Sequence, residues 1–581
     1  MAFQSAVKSS LMTILILTTS INDHSTSFAQ ANSIANPTVN IPQGTLLGTV
    51  RKTIHNRTVS AFLGIPFAQP PVGELRFRNP VPASGWSGIR NATSDAEMCP
   101  QLLGNEVKGD EDCLWINAYT PEVPKSDKSP LLPVMVYIHG GAFVGGNARS
   151  DRYGPEYLLD ANIVLFLPSH RVGPFGFLST GDKIASGNWG LKDQILALKW
   201  VQKNAKYFGG DPDRVTLFGA SSGGACVHLL TLSDLTIGLF HKYITQSGSA
   251  LGIWAQLPKS GYSNRAYELG EYVGCSNKTS EALVKCLRGI DFAKIIATAP
   301  RFIRWHVWPV IVWAPTEEPD IEGAVFTDTT TNLFAAGKIR DLPWISGVVR
   351  DEALLYTVKF FEDQELFRRF LEKFDAVLPE AATLNYQPDK GAAYIDAVKS
   401  FYLKGGLSGN ESLILQNVTG ALGDLLFRYP AYSALLQHHA VAKSPQYFYN
   451  LKYRGTFSNI YFFQDNPKSL GVGHGDDTFY IYFPELQFPP AIYNRTVTKR
   501  DLEITDIMVQ LWTSFAIDGT PTSPALNGAP WKPFSAAEGN YLRIGDEYDT
   551  SIGMENSFYP ERMQFWSTVT DLTRKLWSRQ V

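Results

Sequence analysis

The sequence predicts an α/β protein with a large, mostly parallel central sheet flanked by helices, and three observations predict it. Short, mostly apolar runs recur at Val134–Ile138, Ile163–Leu167, Val215–Phe218, Tyr243–Thr245 and Trp344–Val349. Runs that stay mostly apolar, rather than alternating with polar residues, are strands buried on both faces. Between two of them, Asp193–Phe208 carries Ile195, Leu198 and Val201 at helical spacing, and Gly209-Gly210-Asp211-Pro212 stops it. Strand, helix and strand in succession make a parallel sheet wrapped by helices. The 581 residues are 44% apolar and 12% aromatic, enough to bury both faces of such a sheet.

Taken in order, the chain opens with Lys8, the apolar stretch Leu11–Leu17 and the small-residue site Ser27-Phe28-Ala29. This is the pattern of a secretory signal peptide over residues 1–29, too short to span a bilayer, which takes ~20 apolar residues. Residues 30–581 are expected to form a single domain, because neither an internal repeat nor a low-complexity linker divides them. Pro121–Pro133 and Thr520–Pro530 read as surface loops, and Glu362–Ala442 as a mostly helical insertion over the sheet. The last residues, Lys575–Val581, carry no retention signal and no apolar tail.

The five cysteines fall into two local pairs, Cys99–Cys113 and Cys275–Cys286, with Cys226 left over as a buried small hydrophobe. Local pairs fit an oxidising compartment. Six N-x-[ST] sequons, at Asn56, Asn91, Asn277, Asn410, Asn417 and Asn494, point the same way. A secreted, extracellular glycoprotein is expected. A net charge of −3, with no basic stripe, argues against a nucleic-acid partner.

The chemistry is carried by Gly219-Ala220-Ser221-Ser222-Gly223, a G-x-S-x-G motif. It follows the strand ending at Phe218 and precedes the helix-compatible Gly224–Leu230, the strand–turn–helix context in which such a serine projects its Oγ as a nucleophile. A serine attacking a carbonyl creates an oxyanion that needs preorganised donors. The glycine turn His139-Gly140-Gly141-Ala142-Phe143, directly after the strand ending at Ile138, is suited to bring backbone N–H groups close. From the residues alone the base stays open among ten histidines. His474, between two glycines, is a loop candidate. Asp476 and Asp477 compete as its acid by proximity, and Asp351 stands beside Glu352.

These motifs, together with Phe62–Ala68, Arg76-Phe77-Arg78, Glu111–Leu114, Arg171–Leu178, Gly187–Gln194 and Phe208–Pro212 in that order, resemble the type-B carboxylesterase and cholinesterase family. Insect-type secreted carboxylesterases are the most similar. The resemblance covers nearly the whole chain and implies the α/β-hydrolase fold. It implies Ser221 as nucleophile, Glu352 as acid and His474 as base. The oxyanion donors would be the N–H groups of Gly141, Ala142 and Ser222, with Ser247 supporting the triad. Trp254 would line the acyl side of the pocket. Trp305, in Trp305–Val310, aligns with the acyl-pocket loop, and two tryptophans there predict a preference for short acyl chains. The family disulfides match both local pairs, and ion pairs Arg76–Glu111 and Arg171–Asp193 are expected. The substrate would be a small-molecule ester, with no cofactor and no metal, and the protein a monomer or homodimer without a membrane span.

The chain departs from the family pattern at Ala220, where Glu is usual, and at Ser222, where Ala is usual; the N–H of residue 222 is retained. The Cys99–Cys113 loop is short and lacks the choline-binding tryptophan, which argues against a choline-ester specialist. Juvenile hormone esterases usually carry Gln where Ala220 stands, so a specialised hormone or pheromone esterase is a secondary reading. A catalytically inactive, esterase-like adhesion protein would typically lose a triad group, and a lipase would need interfacial apolar surface.

Overall fold

The computed structural model describes residues 36–275, 278–381, 388–404, 406–464 and 468–577. The expected signal peptide and Asn277 lie outside them. From Pro37 onward the chain forms one compact unit.

Eleven strands make the central sheet. They are β1 (Thr49–Lys52), β2 (Thr58–Pro66), β3 (Trp115–Thr120), β4 (Leu132–Ile138), β5 (Val164–Pro168) and β6 (Gly210–Ala220). They continue as β7 (Lys242–Gln246), β8 (Trp344–Val349), β9 (Gln446–Tyr453), β10 (Tyr541–Glu547) and β11 (Asp549–Glu555). The spatial order is β11-β10-β9-β8-β7-β6-β4-β5-β3-β2-β1. The run from β5 to β10 is parallel throughout, and pairing turns antiparallel only toward the two edges. The predicted α/β class is therefore the observed one, with all five apolar runs in the parallel part.

The runs are continuous because the sheet is covered on both faces. In β4, Val134, Val136 and Ile138 belong to one apolar core, while Met135 and Tyr137 belong to the other. β5 divides the same way, with Val164 and Phe166 on one side and Leu165 and Leu167 on the other. Period-2 geometry sends neighbours to opposite faces, and each face meets helices.

Helix α1 spans Trp189–Asn204, one turn earlier than the Asp193 start read from the sequence, and a 3-10 turn, Ala205–Phe208, finishes it. Gly209, at φ 81°, reverses the chain into β6. The stretch read as a helical insertion is helical at Gln364–Glu372, Phe374–Ala381, Pro388–Tyr402, Glu411–Gly423 and Tyr429–Val441, with a π-helical turn, Asp424–Arg428, inside the last pair.

Both disulfides form as paired in the sequence reading, and Cys226 is free and buried. Arg171 makes two side-chain hydrogen bonds to Asp193, at 2.8 and 2.7 Å, with both residues buried. Arg76 and Glu111 form the second buried fork. Among the described residues, no helix is long and apolar enough to cross a membrane.

Candidate active site

In a parallel sheet the carboxyl ends of neighbouring strands open on the same edge, where α/β proteins place their sites. The strand order β8-β7-β6-β4 gathers four sequence-distant segments there. Register pairs Gly219 with Ile138, Ala220 with Gln246, and Gln246 with Gly347. Ser221, Ser247, His139-Gly140-Gly141 and the Arg350–Glu352 turn thus emerge side by side. His474 arrives on the loop beyond β9.

Between β6 and helix α2 (Ser222–Leu230), Ser221 holds φ 57° and ψ −128°. A non-glycine residue at positive φ is strained, the backbone signature of a serine lifted off a strand end. Its Oγ lies 2.8 Å from His474 Nε2. His474 Nδ1 lies 2.6 Å from Glu352 Oε2. The other carboxylate oxygen, Oε1, accepts from Ser247 Oγ at 2.7 Å and from the Val349 N–H at 2.9 Å. Glu352 is wholly buried and His474 nearly so. Serine, imidazole and carboxylate form one unbroken hydrogen-bonded line, whose far end is fixed by two further donors.

The acids that sequence proximity left open are engaged elsewhere. Asp476 accepts from Ser458 Oγ and from the Asn459 and Gly473 N–H groups. Asp477 accepts from the Tyr449 hydroxyl at 2.6 Å. Asp351 bonds Arg350 and the Val472 N–H. None of them hydrogen-bonds His474. Burial pushes the Asp477 carboxyl up, and that of Asp476 well up.

The glycine turn lies against the serine. A Cβ built on Gly140 would stand 3.0 Å from Ser221 Cβ and 2.7 Å from the Ala220 carbonyl oxygen. Gly141 and Ala142 both hold positive φ, 129° and 57°. The Gly141 carbonyl accepts from the Val144 and Gly145 N–H groups, closing the loop on itself. Among the described residues, the N–H groups of Gly141, Ala142 and Ser222 enter none of the backbone hydrogen bonds that close the loops and turns.

Three aromatic rings wall the site. Phe427 lies 4.4 Å, centroid to centroid, from the His474 ring. Trp254 is 5.8 Å from Phe427 and 6.1 Å from Phe143 of the glycine turn, and its Nε1 donates to the Leu426 carbonyl at 2.7 Å. Trp305 packs instead with Trp308, Phe360 and Phe370, and none of its ring contacts is with Ser221, His474 or Trp254. Phe427 went unnamed in the sequence reading: it sits in the π-helical turn, far along the chain from every motif, and no local pattern marks it.

Cys226 is buried behind the serine in α2, and desolvation pushes its thiol up to about 12, so it stays protonated and inert. Of the described sequons, Asn56, Asn91, Asn410 and Asn494 are exposed and Asn417 is half-buried. Among the described residues, no cluster of His, Cys, Asp and Glu is arranged to hold a metal ion.

Comparison with known proteins agrees with this architecture. A family model described as "Carboxylesterase family" matches residues 35–566. The chain is 33% identical to the juvenile hormone esterase of Tribolium castaneum, covering 92% of this chain and 94% of that protein. It is 34% identical to venom carboxylesterase-6 of Apis mellifera, over 93% and 95% of the two chains. It is 32% identical to carboxylesterase 4A of Bos taurus, over 91% and 94%.

Proposed function

Because the chain belongs to the carboxylesterase family and is a serine carboxylic-ester hydrolase, we propose that Ser221 is its nucleophile, His474 its general base and Glu352 the acid that orients the base. One observation carries this reading: the line Ser221 Oγ, His474 Nε2, His474 Nδ1, Glu352 Oε2, with links of 2.8 and 2.6 Å. An inactive adhesion protein has no use for such a line buried at a strained serine.

The chemistry follows from the roles. His474 Nε2 takes the Ser221 proton as Oγ attacks the ester carbonyl, and Glu352 stabilises the imidazolium through Nδ1. The carbonyl oxygen, now an oxyanion, is held by the N–H groups of Gly141, Ala142 and Ser222. His474 returns the proton to the departing alcohol. Water then gives a proton to the same nitrogen and attacks the acyl-serine, and His474 passes that proton to Ser221 Oγ as the acid leaves.

The substrate is an uncharged ester. Ala220 puts a methyl group where a carboxylate would otherwise stand beside the nucleophile, and Phe143, Trp254 and Phe427 present apolar faces. With Trp254 and Phe427 narrowing the acyl side, short acyl chains are preferred. The enzyme is a monomer or homodimer, and a secreted glycoprotein with residues 1–29 removed; the disulfides and exposed sequons support the secretion and glycosylation.

The test is covalent labelling. Protein lacking the leader is treated with a fluorophosphonate, and the adduct located by mass spectrometry. An adduct on Ser221, absent from Ser221→Ala, together with hydrolysis of a short p-nitrophenyl ester, is expected. Folded protein that takes no label and cleaves no ester refutes the assignment.

A further inference from the structure

His139 stands at the head of the glycine turn, yet nothing in the triad uses it. It is buried, and its Nδ1 lies 2.9 Å from the carbonyl oxygen of Gly140. A carbonyl only accepts, so Nδ1 must carry the proton. That carbonyl shares its peptide unit with the N–H of Gly141. A peptide is planar, so a donor that fixes the Gly140 oxygen also fixes the direction of the Gly141 N–H. Withdrawing electron density from the oxygen further polarises that N–H.

The surroundings hold the imidazole in this one state. Its ring stacks on His170, centroids 4.1 Å apart and 19° between planes. His139 Nε2 meets no hydrogen-bonding group of the described residues. Burial holds the His139 imidazole down at about 4 and that of His170 well below the usual range, so neither ring carries charge at neutral pH.

The bond is also roofed. A Cβ on Gly146 would lie 2.2 Å from the Gly140 oxygen and 2.4 Å from His139 Nδ1, so the Gly146 backbone sits directly on it. Gly146 is clamped at both ends by one buried side chain. Gln101 Nε2 donates to the Gly146 carbonyl at 2.8 Å, and the Gly146 N–H donates to Gln101 Oε1 at 2.8 Å. Gln101 belongs to the loop closed by the Cys99–Cys113 disulfide, and its Nε2 also donates to the Cys99 carbonyl at 3.0 Å.

We propose that His139 is a positioning residue that aims the Gly141 N–H at the oxyanion, and that Gln101, anchored in the disulfide loop, seals its hydrogen bond. The proposal rests on the oxyanion reading above. It gives the short disulfide loop a catalytic consequence: the loop holds the lid over the bond that orients a donor.

The experiment compares His139→Leu, which removes the donor, with His139→Asn, whose Nδ2 restores a donor at a similar reach. Two quantities are read: kcat and KM on p-nitrophenyl acetate, and Ki for an alkyl trifluoromethyl ketone, which takes up the serine oxygen to form a tetrahedral oxyanion. Losing an oxyanion donor outright costs ~100–1000-fold in rate, and a misaimed one less. For His139→Leu, a kcat fall of ~10–100-fold with little change in KM is expected, with ketone Ki rising by a similar factor. His139→Asn should recover most of both. A merely structural role would not move ketone affinity in step with kcat. Ketone Ki for His139→Leu within twofold of wild type overturns the proposal, and so does His139→Asn no better than His139→Leu. Gln101→Leu leaves the imidazole in place and gives an independent reading: a several-fold shift in both quantities is expected, and no shift in either overturns Gln101's part. Fluorophosphonate labelling of wild-type Ser221 separates the cases. If it fails, the nucleophile assignment fails; if it succeeds while the variants match wild type, only the proposal fails.

Discussion

The replacement Glu352→Gln isolates what the buried acid contributes, and the geometry dictates how the amide must sit. Oε1 of Glu352 accepts from the Val349 N–H at 2.9 Å and from Ser247 Oγ at 2.7 Å. The Val349 N–H can only donate, so the glutamine carbonyl oxygen takes the Oε1 position and the NH2 takes that of Oε2. The NH2 then faces His474 Nδ1, 2.6 Å away in the wild type. An amide NH2 cannot accept, so Nδ1 must give up its proton, and the imidazole carries it on Nε2 instead. Nε2, 2.8 Å from Ser221 Oγ, is then a donor and has no lone pair for the serine proton. The wrong tautomer is thus enforced by a backbone group two bonds removed from the chemistry. In the general Ser–His–acid arrangement this change costs ~10⁴ in kcat, about 5.5 kcal/mol of transition-state stabilisation. Each existing hydrogen bond keeps a partner and only the second amide N–H is left unpaired, a cost of ~1–3 kcal/mol, so the enzyme should stay folded with its melting temperature only modestly lowered. The assay is kcat on p-nitrophenyl acetate beside a thermal melt. A folded Glu352→Gln enzyme within tenfold of wild type refutes the reasoning, and attention would pass to Asp476, Asp477 and Asp351 as the acid.

Three further outcomes follow from other parts of the molecule. His139 and His438 are both buried, with burial holding their pKa values at about 4 and about 3, below the ~6.5 of an exposed histidine. The unfolded chain therefore binds more protons below pH 6.5, so stability is full above that pH and falls as pH drops toward 4, by about 1.4 kcal/mol per pH unit per histidine; melts from pH 7 to 4 should steepen accordingly, and His438→Gln should flatten the slope. A Cβ on Gly223 would stand 2.1 Å from the Ile138 carbonyl oxygen and 2.6 Å from that of His139; both are backbone, so Gly223→Ala should abolish fluorophosphonate labelling or soluble yield, and a normally labelled variant counts against this packing. Phe427→Ala opens the wall 4.4 Å from His474; at ~3–5 kcal/mol in stability, it should raise kcat/KM for decanoyl relative to acetyl esters, whereas equal values for the two esters in the wild type would sink the short-acyl preference itself.

The parallel core was legible because burial on both faces writes itself into sequence as unbroken apolar runs. The edge strands were not: β11 mixes exposed and half-buried positions, and β1 has no buried residue at all. Helix α1 begins before Asp193 because Asn188, at φ 57°, starts the turn from a left-handed conformation that no apolar period announces. The serine elbow was legible because its turn needs particular residues within five positions. The choice of Glu352 over Asp351, Asp476 and Asp477 was not, since it depends on where three separate segments meet. Only the resemblance could decide it in one dimension. Phe427 and Gln101 reach the site from far along the chain, and neither a local pattern nor the resemblance marked them.

The distribution of negative charge around His474 ties these observations together. Four carboxyl groups lie within a few residues of the base or its acid, yet only one hydrogen-bonds the imidazole. Asp351 is paired with Arg350. Neither Asp476 nor Asp477 is paired with a Lys or Arg among the described residues; burial raises both, and the Glu352 charge raises Asp477 further while His474 opposes it. A carboxyl whose charge is disfavoured in this way competes weakly for the imidazolium. With Ala220 standing where the family usually places a carboxylate beside the serine, Glu352 is the one of these anions in hydrogen-bond contact with His474. Two consequences separate this arrangement from a more acidic one. Glu352 is the one carboxylate hydrogen-bonded to the base, so Ser247→Ala, which removes one of the two donors holding it, should lower kcat while leaving KM nearly unchanged. Conversely, Ala220→Glu puts a second anion beside the serine, and kcat/KM should fall further for an anionic ester than for an uncharged one. An Ala220→Glu enzyme whose kcat/KM changes equally for the two esters would show that a charge at residue 220 does not reach the reacting centre, and the argument from its charge would fall.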